Sequence, residues 1–128
     1  MYLLDTNIYI RYISEPHKLP GHLLTVLKDP AKDIFVSAVV PWEIAIKYTK
    51  GKLAAGALIL PNHERFLSDL GMTELEVTGK HGVHAGQLPP IHQDPFDRMI
   101  IAQAQLEALT ILTLDKVFSA YGVSVINQ

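Results

Sequence analysis

Four carboxylates in the sequence stand where they could meet in a folded chain: Asp5 in MYLLD, Glu43 in VVPWEIAIKY, Asp97 in DPFDR and Asp115 in ILTLD. Two unit charges about 4 Å apart repel by roughly 4 kcal/mol at an effective dielectric constant of about 20. Such a cluster would therefore need cations, and oxygen-only ligands favour Mg²⁺ or Mn²⁺. One or two such ions can activate a water molecule for in-line attack on a phosphodiester.

The elements that would position these residues are strands alternating with helices. We expect strands at residues 2–4, 34–37, 110–114 and 123–126, with a weaker one at 73–77. Helices are expected at residues 6–13, 22–28, 40–50, 62–70, 80–87 and 95–109. Gly51 and Gly71 are suited to end two of these helices, and Pro95 is suited to a first helical turn.

This alternation predicts the fold class and the edge of the sheet at which to look for a site. Strand–helix–strand units favour a mainly parallel sheet covered on both faces, which is a three-layer α/β/α sandwich. Ligands of such open sheets bind beyond the carboxyl ends of the strands, near the switch in strand order. Asp5 and Asp115 both follow predicted strands, so we expect them to share a site.

The composition predicts one globular domain over residues 1–128. The length of 128 residues can bury one core but is too short for two, and 48% hydrophobic residues exclude a disordered chain. No apolar stretch approaches the ~18 residues of a membrane span, and the first ten residues do not resemble a signal peptide. The absence of cysteine excludes thiol catalysis and zinc–thiolate sites, and it fits a cytoplasmic protein.

Each carboxylate also has a structural interpretation. Asp5 could cap the following helix, and Glu43 could form an exposed ion pair with Lys47 one helical turn later. Asp97 shares a predicted helix face with apolar residues, so it should lie at a buried edge that needs a cation or hydrogen-bond donors. Asp94 could cap the helix that begins at Pro95 or support a metal site.

The stretches MYLLDTN, VSAVVPWEIAIKYTKGKL, DPFDRMIIAQA and ILTLDKVFSAYGV together resemble, in order and spacing, the PIN-domain ribonucleases. The similarity is strongest to the VapC-like toxins of type II toxin–antitoxin pairs, and it extends from residue 1 to about residue 125. It implies a PIN fold, endonucleolytic RNA cleavage that depends on Mg²⁺ or Mn²⁺, a homodimer and a cognate antitoxin whose tail covers the site.

The resemblance also implies roles for individual residues. The catalytic and metal-binding set would be Asp5, Glu43, Asp97 and Asp115. The candidate supporting residues are Asp94, Thr6, Asn7 and Thr113, and the candidate RNA contacts are Lys47, Lys50, Lys52 and Arg98. The three lysines could equally be a solvated helix end, and Arg98 could be a surface residue.

Two further hypotheses come from other features of the sequence. The net charge of −2 argues against a generally basic nucleic-acid binder. A catalytically silent module that acts through its antitoxin or dimer surface is one alternative, although the set of four carboxylates argues against it. A metal-independent ribonuclease is the other, because paired imidazoles can do general acid–base work. The chain has six histidines for that role: His17, His22, His63, His81, His84 and His92. A chelator would separate the two enzymatic hypotheses.

Overall fold

The computed structural model describes residues 1–123 and 125–126, and in this part of the chain strands alternate with helices. The strands are β1 (Tyr2–Leu4), β2 (Ile34–Ser37), β3 (Met72–Leu75), β4 (Thr110–Leu112) and β5 (Val125–Ile126). The helices are α1 (Thr6–Ser14), α2 (Gly21–Lys28), α3 (Val39–Thr49), α4 (Gly56–Ile59), α5 (His63–Asp69), α6 (Gly79–Gln87) and α7 (Pro95–Glu107). Short 3₁₀ turns occupy Pro16–Lys18, Leu60–Asn62 and Lys116–Tyr121.

The strands form one parallel sheet in the order β3-β2-β1-β4-β5. β1 is central, and Leu3 lies opposite Phe35 of β2 on one side and Ile111 of β4 on the other. The chain adds β2 and β3 on one side of β1 and then crosses to add β4 and β5 on the other. The switch in strand order therefore falls between β1 and β4, which are the two strands followed by Asp5 and Asp115.

Helices cover both faces of this sheet. Successive side chains of a strand point to opposite faces, and both Leu3 and Leu4 of β1 are fully buried. Ile111 and Leu112 of β4 show the same burial on both faces. The predicted three-layer α/β/α sandwich is thus confirmed. Across the described residues, no helix combines the length and the apolar character that a membrane crossing requires.

Several predicted element boundaries hold, and others differ for local reasons. Gly51 and Gly71 adopt φ angles of 73° and 67° directly after α3 and α5, as expected for helix C-termini. α7 ends at Glu107 rather than at residue 109, because Ala108 takes the left-handed conformation with φ 56°. Helical structure also begins at Gly56, ahead of the helix predicted at 62–70. Residue 124 of the strand predicted at 123–126 lies outside the described residues.

Candidate active site

Asp5 lies at the carboxyl end of β1, and its side chain points into the site rather than capping α1. Its backbone N–H donates to Leu112 O at 3.0 Å, which continues the pairing of β1 with β4. Its carboxylate is buried and accepts a hydrogen bond from Thr113 Oγ1 at 2.7 Å, and it forms no side-chain capping bond to α1 among the described residues. Asp5 therefore occupies the N-cap position of α1, but its side chain does not make the capping bond that was expected.

Burial raises the pKa of the Asp5 carboxyl from its usual 3.8 to about 7. The hydrogen bond from Thr113 lowers this pKa, so it opposes part of the effect of burial. The negative charges of Asp97, Glu43 and Asp115 each raise it further. The other three carboxylates of the predicted set therefore all act on Asp5 at this edge of the sheet.

Glu43 is held in α3 by two donors that fix both of its oxygens. Thr6 Oγ1 donates to Oε1 at 2.7 Å, and Lys47 Nζ donates to Oε2 at 2.6 Å. The predicted ion pair with Lys47 exists, but Glu43 is only 3% exposed, so the pair is not the surface pair that was expected. Burial lowers the pKa of Lys47, but the hydrogen bond and charge of Glu43 outweigh that effect and raise it.

Asp94 and Asp97 have different positions at the start of α7. Asp94 Oδ1 accepts from the backbone N–H of Phe96 at 2.8 Å and from that of Asp97 at 3.1 Å, so Asp94 caps the helix. Asp97 lies one turn inside, and its Oδ2 lies 2.7 Å from His92 Nε2. Burial raises the pKa of Asp97 to about 6 against the lowering effect of His92, and the charges of Asp94 and Glu43 add to the rise.

Asp115 is the most exposed of the four carboxylates, and Thr113 connects it to Asp5. The buried Thr113 hydroxyl donates to Asp5 and accepts from the backbone N–H of Asp115 at 3.0 Å. Asp115 Oδ1 accepts from Val117 N at 3.0 Å, at the start of the following 3₁₀ turn. The Thr113 hydroxyl thus links Asp5, which follows β1, to Asp115, which follows β4.

A pocket of about 510 Å³ opens beside Asp5 and Asp115. Its remaining lining comes from Asn7, Arg11, Leu114 and Lys116. Asn7 was predicted as a supporting residue, whereas Arg11 and Lys116 were not predicted to have a role. Arg11 follows Asp5 by six residues and Lys116 directly follows Asp115, and this proximity in the sequence was the available signal. The pocket is thus lined by two carboxylates and two cationic side chains.

His92 is a further member of the site that the sequence did not reveal. Its imidazole, an oxygen of Asp97 and an oxygen of Asp115 lie within 4.8 Å of one another. His92 precedes α7 in the segment 88–93, which holds two prolines and shows no periodicity, so no predicted element indicated where its side chain would point. Its only sequence signal was its separation of five residues from Asp97.

The other histidines do not form catalytic pairs. Tyr9 bonds to His63, Glu107 to His81 and Gln105 to His84, and the hydrogen bonds of the described residues join no two imidazoles. His17 and His22 are exposed on the short 3₁₀ turn and on α2.

Arg98 lies away from the expected surface position. Its guanidinium donates to five backbone carbonyls within 3.4 Å, those of Ala85, Gly86, Leu88, Pro89 and His92. Arg98 is half-buried and joins the end of α6 and the segment 88–93 to α7. Lys50 and Lys52, by contrast, are exposed just after α3, and Lys47 is engaged with Glu43.

The sheet order and the acidic edge define a class of α/β/α proteins with a carboxylate site at the strand switch. The family model of the PIN domain matches residues 2–123, and the chain belongs to the PIN domain family. The resemblance found in the sequence is thereby confirmed. A comparison with curated proteins gives no match.

Several solved structures have similar folds. VapBC2 of Rickettsia felis, solved bound to a DNA fragment from its promoter, has a TM-score of 0.71 at 21% identity, covering 98% of this chain and 97% of that one. FitAcB of Neisseria gonorrhoeae has a TM-score of 0.67 at 25% identity, covering 99% and 97%. VapC20 of Mycobacterium tuberculosis, a toxin that cleaves the sarcin-ricin loop, has a TM-score of 0.72 at 15% identity, covering all of both chains.

Proposed function

We propose that this chain is an endoribonuclease that depends on divalent cations and is the toxin of a toxin–antitoxin pair. The observation that carries the proposal is the convergence of Asp5, Glu43, Asp97 and Asp115 at the strand switch, where burial and repulsion raise the pKa of two of them. Divalent cations stabilise a cluster of like charges of this kind, and nuclease sites use such cations. Membership of the PIN domain family supports the same activity.

The donor set fits Mg²⁺ or Mn²⁺. Carboxylate oxygens are the ligands that these hard cations prefer, and the four acidic residues would hold one or two ions. A bound cation would offset the burial and repulsion that raise the pKa of Asp5 and Asp97. When bound, such ions supply an activated water nucleophile and stabilise the phosphodiester oxygens during in-line displacement.

The chain's own residues hold this donor set in place. Thr113 fixes the orientation of Asp5, and Thr6 together with Lys47 fixes Glu43. Hydrogen bonds of this kind around metal ligands commonly contribute 10–100-fold to affinity or activity. Asp94 contributes through the helix it caps, because that cap sets where α7 begins and therefore where Asp97 stands.

We propose RNA with an accessible single-stranded segment as the substrate. Arg11 and Lys116 line the pocket beside the acidic residues and are placed to contact phosphates next to the cleaved bond. The exposed Lys50 and Lys52 would extend this attraction along the RNA, with Lys47 and Asn7 nearer the acidic residues. Sequence-specific recognition of RNA overwhelmingly targets single-stranded loops, whose bases are free to contact protein.

We further propose a cognate antitoxin and a second copy of this chain as partners. Two of the similar solved structures are toxin–antitoxin assemblies, which supports the antitoxin. Several large apolar side chains are exposed, among them Trp42 at 60%, Val83 at 62% and Ile91 at 50%. A partner would cover such side chains where they lie in one contiguous patch.

The test is cleavage of total cellular RNA by the purified, antitoxin-free chain in Mn²⁺ and in Mg²⁺, with and without a chelator. Asp5→Asn removes one buried carboxylate of the site. Asp33→Asn is the matched control, because Asp33 is exposed and precedes β2 at the opposite edge of the sheet. We expect discrete fragments from the native chain and from Asp33→Asn, and at least a hundredfold less cleavage from Asp5→Asn.

Other results would favour the alternatives. Cleavage that persists in chelator would overturn the metal-dependent mechanism and return attention to the histidines. A folded chain, verified by circular dichroism, that cuts no RNA in either cation would favour a silent binding module.

A further inference from the structure

His92 lies at the acidic site although no acidic motif includes it. Its Nε2 is 2.7 Å from Asp97 Oδ2, and donor atoms of His92, Asp97 and Asp115 all lie within 4.8 Å of one another. Two ligand atoms bound to one Mg²⁺ or Mn²⁺ at about 2.1 Å and at right angles lie roughly 3 Å apart. The spacing of the imidazole nitrogen and the Asp97 oxygen therefore suits two neighbouring positions on one ion.

The backbone of His92 is held from two sides. Its N–H donates to the Tyr121 hydroxyl at 2.7 Å, and its carbonyl accepts from Arg98 at 3.1 Å. The Tyr121 hydroxyl in turn donates to Pro89 O at 2.9 Å, and Gln105 Nε2 donates to the Tyr121 carbonyl at 3.0 Å. Tyr121 and Arg98 thus hold the segment that carries this imidazole, and Gln105 holds Tyr121. A ligand held by its surroundings loses less freedom on binding than a mobile surface side chain.

We propose that His92 supplies one nitrogen ligand, beside Asp97 and Asp115, to the cation site of the proposed nuclease. This inference rests on the proposed function and adds which divalent cation the site should prefer. Imidazole suits first-row transition metals better than it suits Mg²⁺, whereas carboxylates suit both. The mixed set of nitrogen and oxygen donors should therefore favour Mn²⁺ over Mg²⁺. In the cation-bound state Nε2 presents its lone pair to the ion and the ring proton resides on Nδ1.

Pulsed electron paramagnetic resonance of the Mn²⁺-loaded full chain tests this ligand directly, because a coordinated imidazole couples its ¹⁴N nucleus to the Mn²⁺ electrons. His92→Gln removes the imidazole while keeping a polar side chain. His22→Gln is the matched control, since His22 is exposed on α2. We expect ¹⁴N coupling in the native chain and in His22→Gln, and its loss in His92→Gln. By titration calorimetry, Mn²⁺ affinity should fall about tenfold in His92→Gln, with a smaller fall for Mg²⁺.

Each outcome separates this inference from the proposed function. Mn²⁺ bound by the native chain without ¹⁴N coupling would overturn the role of His92 and leave the acidic nuclease site standing. A native chain that binds no Mn²⁺ would overturn both. His92→Asn provides a second variant should His92→Gln fold poorly, and unchanged melting temperatures would establish that the loss of coupling reports a lost ligand. Equal losses of Mn²⁺ and Mg²⁺ affinity would contradict the selectivity.

Discussion

The folded chain without a cation disfavours ionisation of Asp5, because burial raises the pKa of this carboxyl to about 7. The carboxylate is 4% exposed, and its neighbours across the site are three further carboxylates. Neutralising it by protonation, by substitution or by a cation should therefore have similar effects on stability. The pH dependence of the free energy of unfolding therefore measures how strongly the site opposes ionisation of Asp5.

The first prediction concerns the chain in chelator. Because the pKa of Asp5 is raised in the folded state, the folded state binds the proton more tightly than the unfolded state does. Its contribution to stability is fully present below about pH 4 and is lost as the pH rises through about 7. Asp5→Asn removes this dependence, so its free energy of unfolding relative to the native chain should increase across that window, by up to about 4 kcal/mol. Urea denaturation at a series of pH values measures the difference.

The control for this measurement is Asp33→Asn, which makes the same chemical change at an exposed residue outside the site. If Asp5→Asn is instead destabilised by a constant amount, the carboxylate has a structural rather than a metal-binding role.

The start of α7 is the element that positions the most site residues. It contains the cap Asp94, the site carboxylate Asp97 and the half-buried Arg98 within five positions. The cap by Asp94 fixes the start of α7 and therefore the position of Asp97. The Arg98 guanidinium fixes the preceding segment and therefore the position of His92. Substitutions at the cap and at the guanidinium distinguish support of the fold from contact with ligands.

At Asp94, replacement by Asn keeps an oxygen that can accept from Phe96 and Asp97, while replacement by Ala removes it. We expect Asp94→Ala to cost about 1 kcal/mol of stability, within a range of roughly 0.5–2. Asp94→Asn should retain both stability and Mn²⁺ affinity, as measured by thermal melting and calorimetry. A tenfold loss of Mn²⁺ affinity in a fully stable Asp94→Asn would make Asp94 a metal ligand as well as a cap.

At Arg98, replacement by Lys keeps the charge but not the planar donor fork that reaches five carbonyls. We expect Arg98→Lys to lower the free energy of unfolding by about 2 kcal/mol, because carbonyls of the segment 88–93 lose their donors. Arg65→Lys, at an exposed residue of α5, is the control and should change stability by less than about 0.5 kcal/mol. Weaker RNA binding with unchanged stability would instead support the phosphate contact expected from the sequence.

For the molecule as a whole, cation binding and folding should be linked. A ligand that binds only the folded state stabilises it by about 2.7 kcal/mol at a hundred times its dissociation constant. The melting temperature of the native chain should therefore rise with Mn²⁺ concentration and remain constant with Na⁺ at matched ionic strength. In the double variant Asp5→Asn/Asp97→Asn the rise should be absent, and a rise that persists there would place the cation elsewhere.

The periodicity of apolar residues predicted most helices and strands because it depends on local sequence. The alternation of these elements then predicted a parallel sheet. Asp5 and Asp115 could be paired in advance, since neighbouring parallel strands bring their carboxyl ends to the same edge. Asp97 could be placed at a buried edge because Ile101 and Ala104, on the same face, are buried. The roles of these residues stay predictions until the experiments above are done.

The position of His92 and the end of α7 could not be predicted from the sequence. The position of His92 follows from Tyr121, which lies 29 residues later, and from the guanidinium of Arg98. The sequence of the irregular segment 88–93 does not indicate either of these contacts. The end of α7 was missed for another reason: the residue in the left-handed conformation there is Ala108, whereas glycine is the residue that usually signals such an end.

The hydrogen bond from Thr113 to Asp5 joins residues separated by 108 positions in the chain. During synthesis the central strand β1 emerges well before β4, which carries Thr113 to its side. A ribosome that stalls before β4 therefore releases a fragment that has Asp5 and Glu43 but neither Thr113 nor Asp115. If the chain is the toxin proposed above, truncated products are harmless to the cell that makes them, and an antitoxin needs to neutralise only finished chains.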